Sequence, residues 1–276
     1  MPLKIALISH YIDAFTLQQR TLTDKDAVPL AITAQVGARL QSVQASTNEA
    51  LKNKGQLVIH SLWTVYGWNS DHDTWAKSTS QSCTLILERM YAPNKEQELR
   101  EVLVYSNGRL VSAPIHQHFA TADDLKNIPL PLGFINEMMT TPTPTQAGRI
   151  VPLPDNKKGL LVVCGEINFL DYKGGTCTIH PAPLGPGLPR FRIHNDDIDV
   201  VINPTHTPMF PQPIREKRSW LSMMVRGKSC VAVANTYPAT AQSKGRHVGI
   251  ETYCAGVRKS FPCTVNPYTI EYYTIP

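Results

Sequence analysis

Apolar and polar positions follow two different rhythms along this chain. Leu3, Ile5, Ala6, Leu7 and Ile8 form a short, almost unbroken apolar run near the N-terminus, which is how a strand covered on both faces reads. Over 31–54 the apolar positions spread to Ile32, Val36, Leu40, Val43 and Leu51, close to helical spacing, and Gly55 stands where a helix would stop. Residues 57–63 return to an apolar run. A strand, a helix and a strand in that order predict the opening of an α/β sheet.

Beyond it, 66–82 is polar and carries Trp68 and Trp75, which predicts a loop with one helical turn. Strands are expected over 84–91 and 101–105, the second entering an Asn107-Gly108 turn with 109–113 as the return strand. Asn-Gly between apolar runs is a strong hairpin signal, so this part is an antiparallel meander. Pro129 and Pro131 hold 125–134 extended, and 140–154 is a Thr/Pro-rich connector. Then Leu160, Leu161, Val162 and Val163 make a second fully apolar run, ended by Cys164 and Gly165. After an irregular stretch over 173–192 come a strand at 198–203, stopped by Pro204, and the loop holding His206. A helix follows over 214–226 with Ile214, Leu221, Met224 and Val225 on one side, then strands at 231–235, 248–253 and 268–275.

Cys164 is the first candidate for chemistry. A side chain at the turn directly after a buried strand is exposed to substrate beside unpaired backbone N–H groups, and Gly165 lets a substrate approach. A buried structural cysteine is the competing reading, because free cysteine is among the most buried residue types. Lys126 is a second candidate. A lysine among apolar side chains loses solvation and serves as an electrostatic stabiliser or proton carrier, although lysines in proline-rich loops are ordinarily solvated.

Composition narrows the classes. With 276 residues, 42% hydrophobic and 18% charged, the chain reads as a single globular domain over 1–276. The net charge is +5, but the 27 Lys and Arg are scattered without a basic run, so nucleic-acid binding has no specific support. No apolar segment is long enough to span a bilayer and no signal-peptide pattern opens the chain, which makes cytoplasmic residence the expectation. Six cysteines without a C-x-x-C pair and nine dispersed histidines suggest reduced thiols and neither a metal nor another cofactor.

The order of these elements, the Cys-Gly-Glu after the apolar strand, Val200-Val201-Ile202-Asn203-Pro204 and Val231-Ala232-Val233-Ala234-Asn235 together resemble the nitrilase, or carbon–nitrogen hydrolase, superfamily. The resemblance implies an α/β fold, a four-layer α-β-β-α sandwich of two mixed sheets flanked by helices. It also implies a Glu-Lys-Cys triad in which cysteine forms a thioester, glutamate moves protons and lysine stabilises the oxyanion. Cys164 matches the nucleophile. The run Lys126-Asn127-Ile128-Pro129-Leu130-Pro131-Leu132-Gly133 is similar to the lysine motif of the apolipoprotein N-acyltransferase and conjugal-transfer branches, while an alternative alignment brings His116 to that position.

One part of the pattern is missing. Where the family carries a Pro-Glu pair, this chain has His60-Ser61-Leu62, which leaves His60 as the nearest substitute base. Glu166 is expected to orient the nucleophile, with Ser61, Gly165 and His116 in supporting positions. Glu88 and Glu137 are weaker possibilities for the base, and the Phe134 position lacks the acid of the acyltransferase branch. Trp63, Asn203 and His206 are expected to line a substrate pocket. Three functions follow from the resemblance: hydrolysis of a small amide or nitrile through a Cys164 thioester, transfer of the same acyl group to an acceptor, or a binding and assembly role without chemistry. Homodimerisation is also implied, with Tyr268, Tyr272 and Tyr273 of the tail taking part.

Overall fold

The computed structural model describes residues 2–12, 39–94, 97–119, 132–138, 140–141, 143, 145–173, 176–179, 197–206, 212–236, 248–262 and 267–275. The first sheet contains β1 (Leu3–His10), β2 (Leu57–His60), β3 (Val65–Tyr66), β4 (Thr84–Asn94), β5 (Gln97–Ser106), β6 (Arg109–Leu110) and the C-terminal β15 (Tyr268–Ile275). Its order is β15-β1-β2-β4-β5-β6, with β3 pairing β4. The second sheet, in order β14-β13-β12-β11-β8-β7, is built from β7 (Ile150–Pro152), β8 (Lys158–Leu161), β11 (Val200–Pro204), β12 (Ser229–Val233), β13 (Val248–Cys254) and β14 (Val257–Pro262). A small hairpin joins β9 (Leu170–Lys173) to β10 (Thr176–Ile179). In both sheets the central pairs are parallel and the outer ones antiparallel, as in β1 with β2 against β1 with β15.

The two sheets face each other, and the period of two decides which side chains meet. Leu3, Ile5, Leu7, Leu57, Ile59 and Ile86 of the first sheet pack against Leu161, Val163, Val200, Ile202, Val231 and Val233 beside the second. The alternate residues turn outward. Ala6, Ile8, Val58, Leu85 and Leu103 meet Ala50 and Ala76 of helices α1 (Leu40–Lys52) and α2 (Ser70–Thr79). On the far side Leu160, Val162, Val201 and Cys230 meet α3 (Leu132–Met138) and α4 (Gln212–Met224) through Phe134, Met138, Ile214 and Leu221. The architecture is therefore two mixed sheets flanked by helices, as expected.

Several boundaries differ from expectation. Residues 66–82 hold the ten-residue helix α2, because Asn69 accepts hydrogen bonds from the Asp71 and His72 N–H groups and so caps it, where a largely irregular loop was expected. The expected extended run over 125–134 lies mostly outside the described residues, and its end is the start of α3. The tail forms β15 at the edge of the first sheet, pairing with β1 over its whole length. Tyr268 donates to Glu49, and the Tyr273 hydroxyl meets that of Ser229. Among the described residues no helix is long and apolar enough to cross a membrane.

Candidate active site

Three strands deliver the site to the gap between the sheets. The apolar run that carries β8 ends at Val163, and the chain turns into a 3-10 turn, Cys164–Phe169. Cys164 opens that turn at φ 47, in the left-handed region that a β-carbon disfavours, so its side chain is held by the turn rather than by strand geometry. On the neighbouring β11 the inward alternation Val200, Ile202, Pro204 continues to His206 just past the strand end. From the opposite sheet, β4 contributes Glu88, whose register partner Val102 belongs to the inter-sheet core.

These side chains form one relay. The Cys164 Sγ lies 3.3 Å from His206 Nδ1, and His206 Nε2 lies 3.0 and 3.1 Å from the two Glu88 oxygens. A carboxylate only accepts, so Nε2 carries a proton and donates it, leaving Nδ1 to face the sulfur. Glu88 is itself fixed: its Oε2 accepts from the Trp63 N–H at 2.6 Å, and its own N–H donates to Thr64 Oγ1. The Trp63 ring covers the imidazole, with centroids 4.9 Å apart.

The electrostatics follow from this geometry. Burial alone pushes the Cys164 thiol up, but the hydrogen bond and positive charge of His206 outweigh it and hold the thiol below its ordinary range. Burial lowers His206, yet the Glu88 charge and the contacts to both partners push it up to about 10. The two shifts describe one state, a thiolate beside an imidazolium that is backed by a carboxylate. Below the cysteine, Glu166 is fully buried and accepts from the Val163 and His118 N–H groups. Its charge meets the fully buried Arg149, which also donates to Glu137 and to the His116 carbonyl. That network clamps the turn on which Cys164 sits.

The expected residues fall into place unequally. Cys164, Gly165 and Glu166 share the turn, and Asn203 donates to the Val162 and Cys164 carbonyls. Trp63 and His206, expected in the pocket, stand at the relay itself. Lys126 lies outside the described residues. His60 is not at the nucleophile: it is fully buried on the far side of β2, where Thr47 and His10 take its two ring nitrogens. Ser61 holds Asn235, and His116 is exposed beside Glu101. The group that bonds the cysteine is His206, and the carboxylate behind it is Glu88. No cluster of three or more His, Cys, Asp or Glu suited to a metal exists among the described residues.

No family model matches the chain, and no curated protein matches it by sequence. Solved structures do match by fold. The glutamine-dependent NAD(+) synthetase from Cytophaga hutchinsonii superposes with a TM-score of 0.52 at 10% identity, covering 100% of this chain, which spans 43% of the synthetase. A carbon-nitrogen hydrolase from Helicobacter pylori gives 0.50 at 12% identity, over 100% of this chain and 90% of that one. A mutant amidase from a Nesterenkonia species, carrying the acetamide moiety of fluoroacetamide on its active-site cysteine, gives 0.50 at 10% identity, over 99% and 90%. The fold thus defines an α/β sandwich with two central sheets. More particularly, it is the nitrilase-like fold, shared here with a carbon–nitrogen hydrolase, an amidase and a glutamine-dependent NAD(+) synthetase.

Proposed function

We propose that this protein is a thiol-dependent acyl-transfer enzyme of nitrilase-like fold that cleaves a C–N bond in a small amide or nitrile through a thioester on Cys164. The observation that carries the proposal is the hydrogen-bonded relay Cys164–His206–Glu88, which supplies what the absent Pro-Glu glutamate would have done. In this reading the Cys164 thiolate attacks the amide carbon, forming the C–S bond and moving the carbonyl electron pair onto oxygen. The His206 imidazolium then protonates the departing nitrogen as the C–N bond breaks. Water next gives a proton to His206 and attacks the thioester, and the thiolate leaves with the acid released. For a nitrile the first adduct is a thioimidate, and water converts it to the same thioester with loss of ammonia.

Glu88 stays ionised throughout, holding the imidazole tautomer and balancing its charge. Backbone N–H groups at the start of the turn, Cys164 and Gly165, are the natural oxyanion donors, since the first N–H groups of a helical turn have no partner within it. Lys126 is the proposed cationic partner of that oxyanion. An amine or hydroxyl acceptor in place of water makes the same three residues an acyltransferase. The family resemblance also leads us to propose a homodimer, for which a monomeric mass in light scattering is the contrary result.

Fluoroacetamide, which labels the active-site cysteine of the Nesterenkonia amidase variant, tests the proposal directly. Intact mass and peptide mapping should find the adduct on Cys164 in the native protein, and the Cys164→Ala variant should gain no mass. Labelling in His206→Gln should be at least ~10-fold slower at neutral pH. Equal labelling of the native protein and His206→Gln, or no adduct on Cys164 at all, overturns it. A subsequent screen of amides, nitriles and activated esters, with and without amine acceptors, separates hydrolysis from transfer.

A further inference from the structure

Fully buried asparagines stand where the central strands of the second sheet end, Asn203 near the close of β11 and Asn235 just past β12. The β8–β11 ladder runs out as the Val162 N–H reaches the Ile202 carbonyl. From there the Asn203 side chain takes over, its Nδ2 donating to the Val162 carbonyl at 2.7 Å and to the Cys164 carbonyl at 3.2 Å. Asn235 does the same for the histidine. Its Nδ2 donates to the His206 carbonyl at 2.8 Å and, towards the first sheet, to the Leu62 carbonyl at 2.7 Å. Leu62 precedes Trp63, whose N–H holds Glu88. The main chain is therefore gripped at the nucleophile, at the base and beside the residue that fixes the carboxylate.

The orientation of each amide is set from behind by an arginine, which has only donors to offer. Arg218 donates through Nε and Nη2 to Asn203 Oδ1 at 3.0 and 2.9 Å. Arg39 donates through Nη1 to Asn235 Oδ1 at 3.1 Å, where the Ser61 hydroxyl also donates at 3.0 Å. Both NH2 groups are thereby directed at the carbonyls, and a polar network satisfied in this way is rigid. Rigidity matters most at Cys164, whose φ of 47 is one that a residue with a β-carbon keeps only when its surroundings impose it. We propose that Asn203 and Asn235 are positioning residues of the relay, fixing Cys164 and His206 by their main-chain carbonyls so that sulfur and imidazole stay within hydrogen-bond reach.

Because both roles rest on the Cys164–His206 pair of the proposed mechanism, the pair is measured first. Alkylation of Cys164 by iodoacetamide is followed by peptide mass across pH in the native protein, and a midpoint at or above about 8.5 refutes the pair itself. With a lowered native midpoint, Asn203→Ala and Asn235→Ala should each raise it by about 1 pH unit or more and slow labelling near pH 6 about 10-fold. Ser229→Ala, which removes a buried hydroxyl bonded to the Gly227 carbonyl and the Tyr273 hydroxyl at the other end of β12, should keep the native midpoint. In a His206→Gln background Asn235→Ala should add no further rise, since the carbonyl it grips then carries no base. A midpoint unmoved by either asparagine variant overturns the role of that asparagine. An equal rise in Ser229→Ala overturns both roles, and an undiminished rise in the His206→Gln background overturns that of Asn235. Where circular dichroism shows that an alanine variant does not fold, the serine variant, which offers the arginine an acceptor but is too short to reach the carbonyls as well, is held to the same outcomes.

Discussion

His206 connects the cysteine to a carboxylate from the other sheet, and the behaviour of the site turns on that connection. Replacing Glu88 by Gln removes the charge that holds the imidazolium, so His206 should lose its proton well below the value near 10 that it has now. The basic limb of any pH–rate profile should then move down towards the ordinary histidine range, with a loss of roughly 10- to 100-fold at pH 8. An unshifted limb measured by steady-state kinetics contradicts the relay. Arg149 offers a test of the clamp under the nucleophile. It is fully buried and serves Glu137, Glu166 and the His116 carbonyl, so Arg149→Met strands two carboxylates. The cost expected from urea unfolding is about 3–5 kcal/mol, and a loss below about 1 kcal/mol shows that the carboxylates find other partners.

Between α1 and the first sheet lies a second histidine arrangement with a different consequence. Thr47 already donates its hydroxyl to the Val43 carbonyl, so it accepts from His60 Nε2–H. His60 Nδ1 then accepts from His10 Nε2–H, and His10 Nδ1 is left as a buried acceptor with no partner among the described residues. Both rings are neutral in this chain of bonds. Burial and the nearby Arg39 charge depress them, His60 to about 3. For groups with a depressed folded value, the unfolded chain takes up protons first as pH falls, so stability is full above the unfolded value near 6.5 and drains as pH drops towards the folded one. The unfolding free energy from urea titrations should therefore fall steadily between about pH 6.5 and 4, by up to ~1.4 kcal/mol per pH unit and per histidine. The paired His10→Gln, His60→Gln variant should flatten that slope, and identical slopes exclude these histidines as its cause. At the end of α4 the packing is equally specific. A β-carbon on Gly227 would lie 1.9 Å from the Asp199 carbonyl oxygen, so Gly227→Ala forces the turn off the second sheet. A loss of about 1–3 kcal/mol is expected in thermal unfolding, and a neutral result shows that the turn is free to move.

Much of the two-sheet sandwich was legible because its signals are local. Runs such as 160–163, the Asn-Gly hairpin and the helical spacing over 214–226 each declare an element within a few residues. Helix α2 escaped because its core face is small and its start is set by the Asn69 cap rather than by a hydrophobic stripe. At the site, Cys164 was visible from the strand that ends on it. The relay was not, since His206 and Glu88 lie 42 and 76 residues of sequence from the cysteine and come from different sheets. One signal did exist: Glu88 interrupts an apolar strand on its core face, and His206 extends the inward alternation of β11, so both were charged or titratable groups aimed at the gap. Reading across the sandwich, the fold places a carboxylate from one sheet and a histidine and cysteine from the other in a single buried line. The measurement that tests this most directly is the pH dependence of Cys164 alkylation by iodoacetamide, followed by peptide mass in the native protein and in His206→Gln. The account predicts reaction persisting well below the ordinary thiol value of about 8.5 in the native protein, and a midpoint displaced above it in the variant, where burial acts unopposed. A native midpoint at or above about 8.5, unchanged by the substitution, would contradict it.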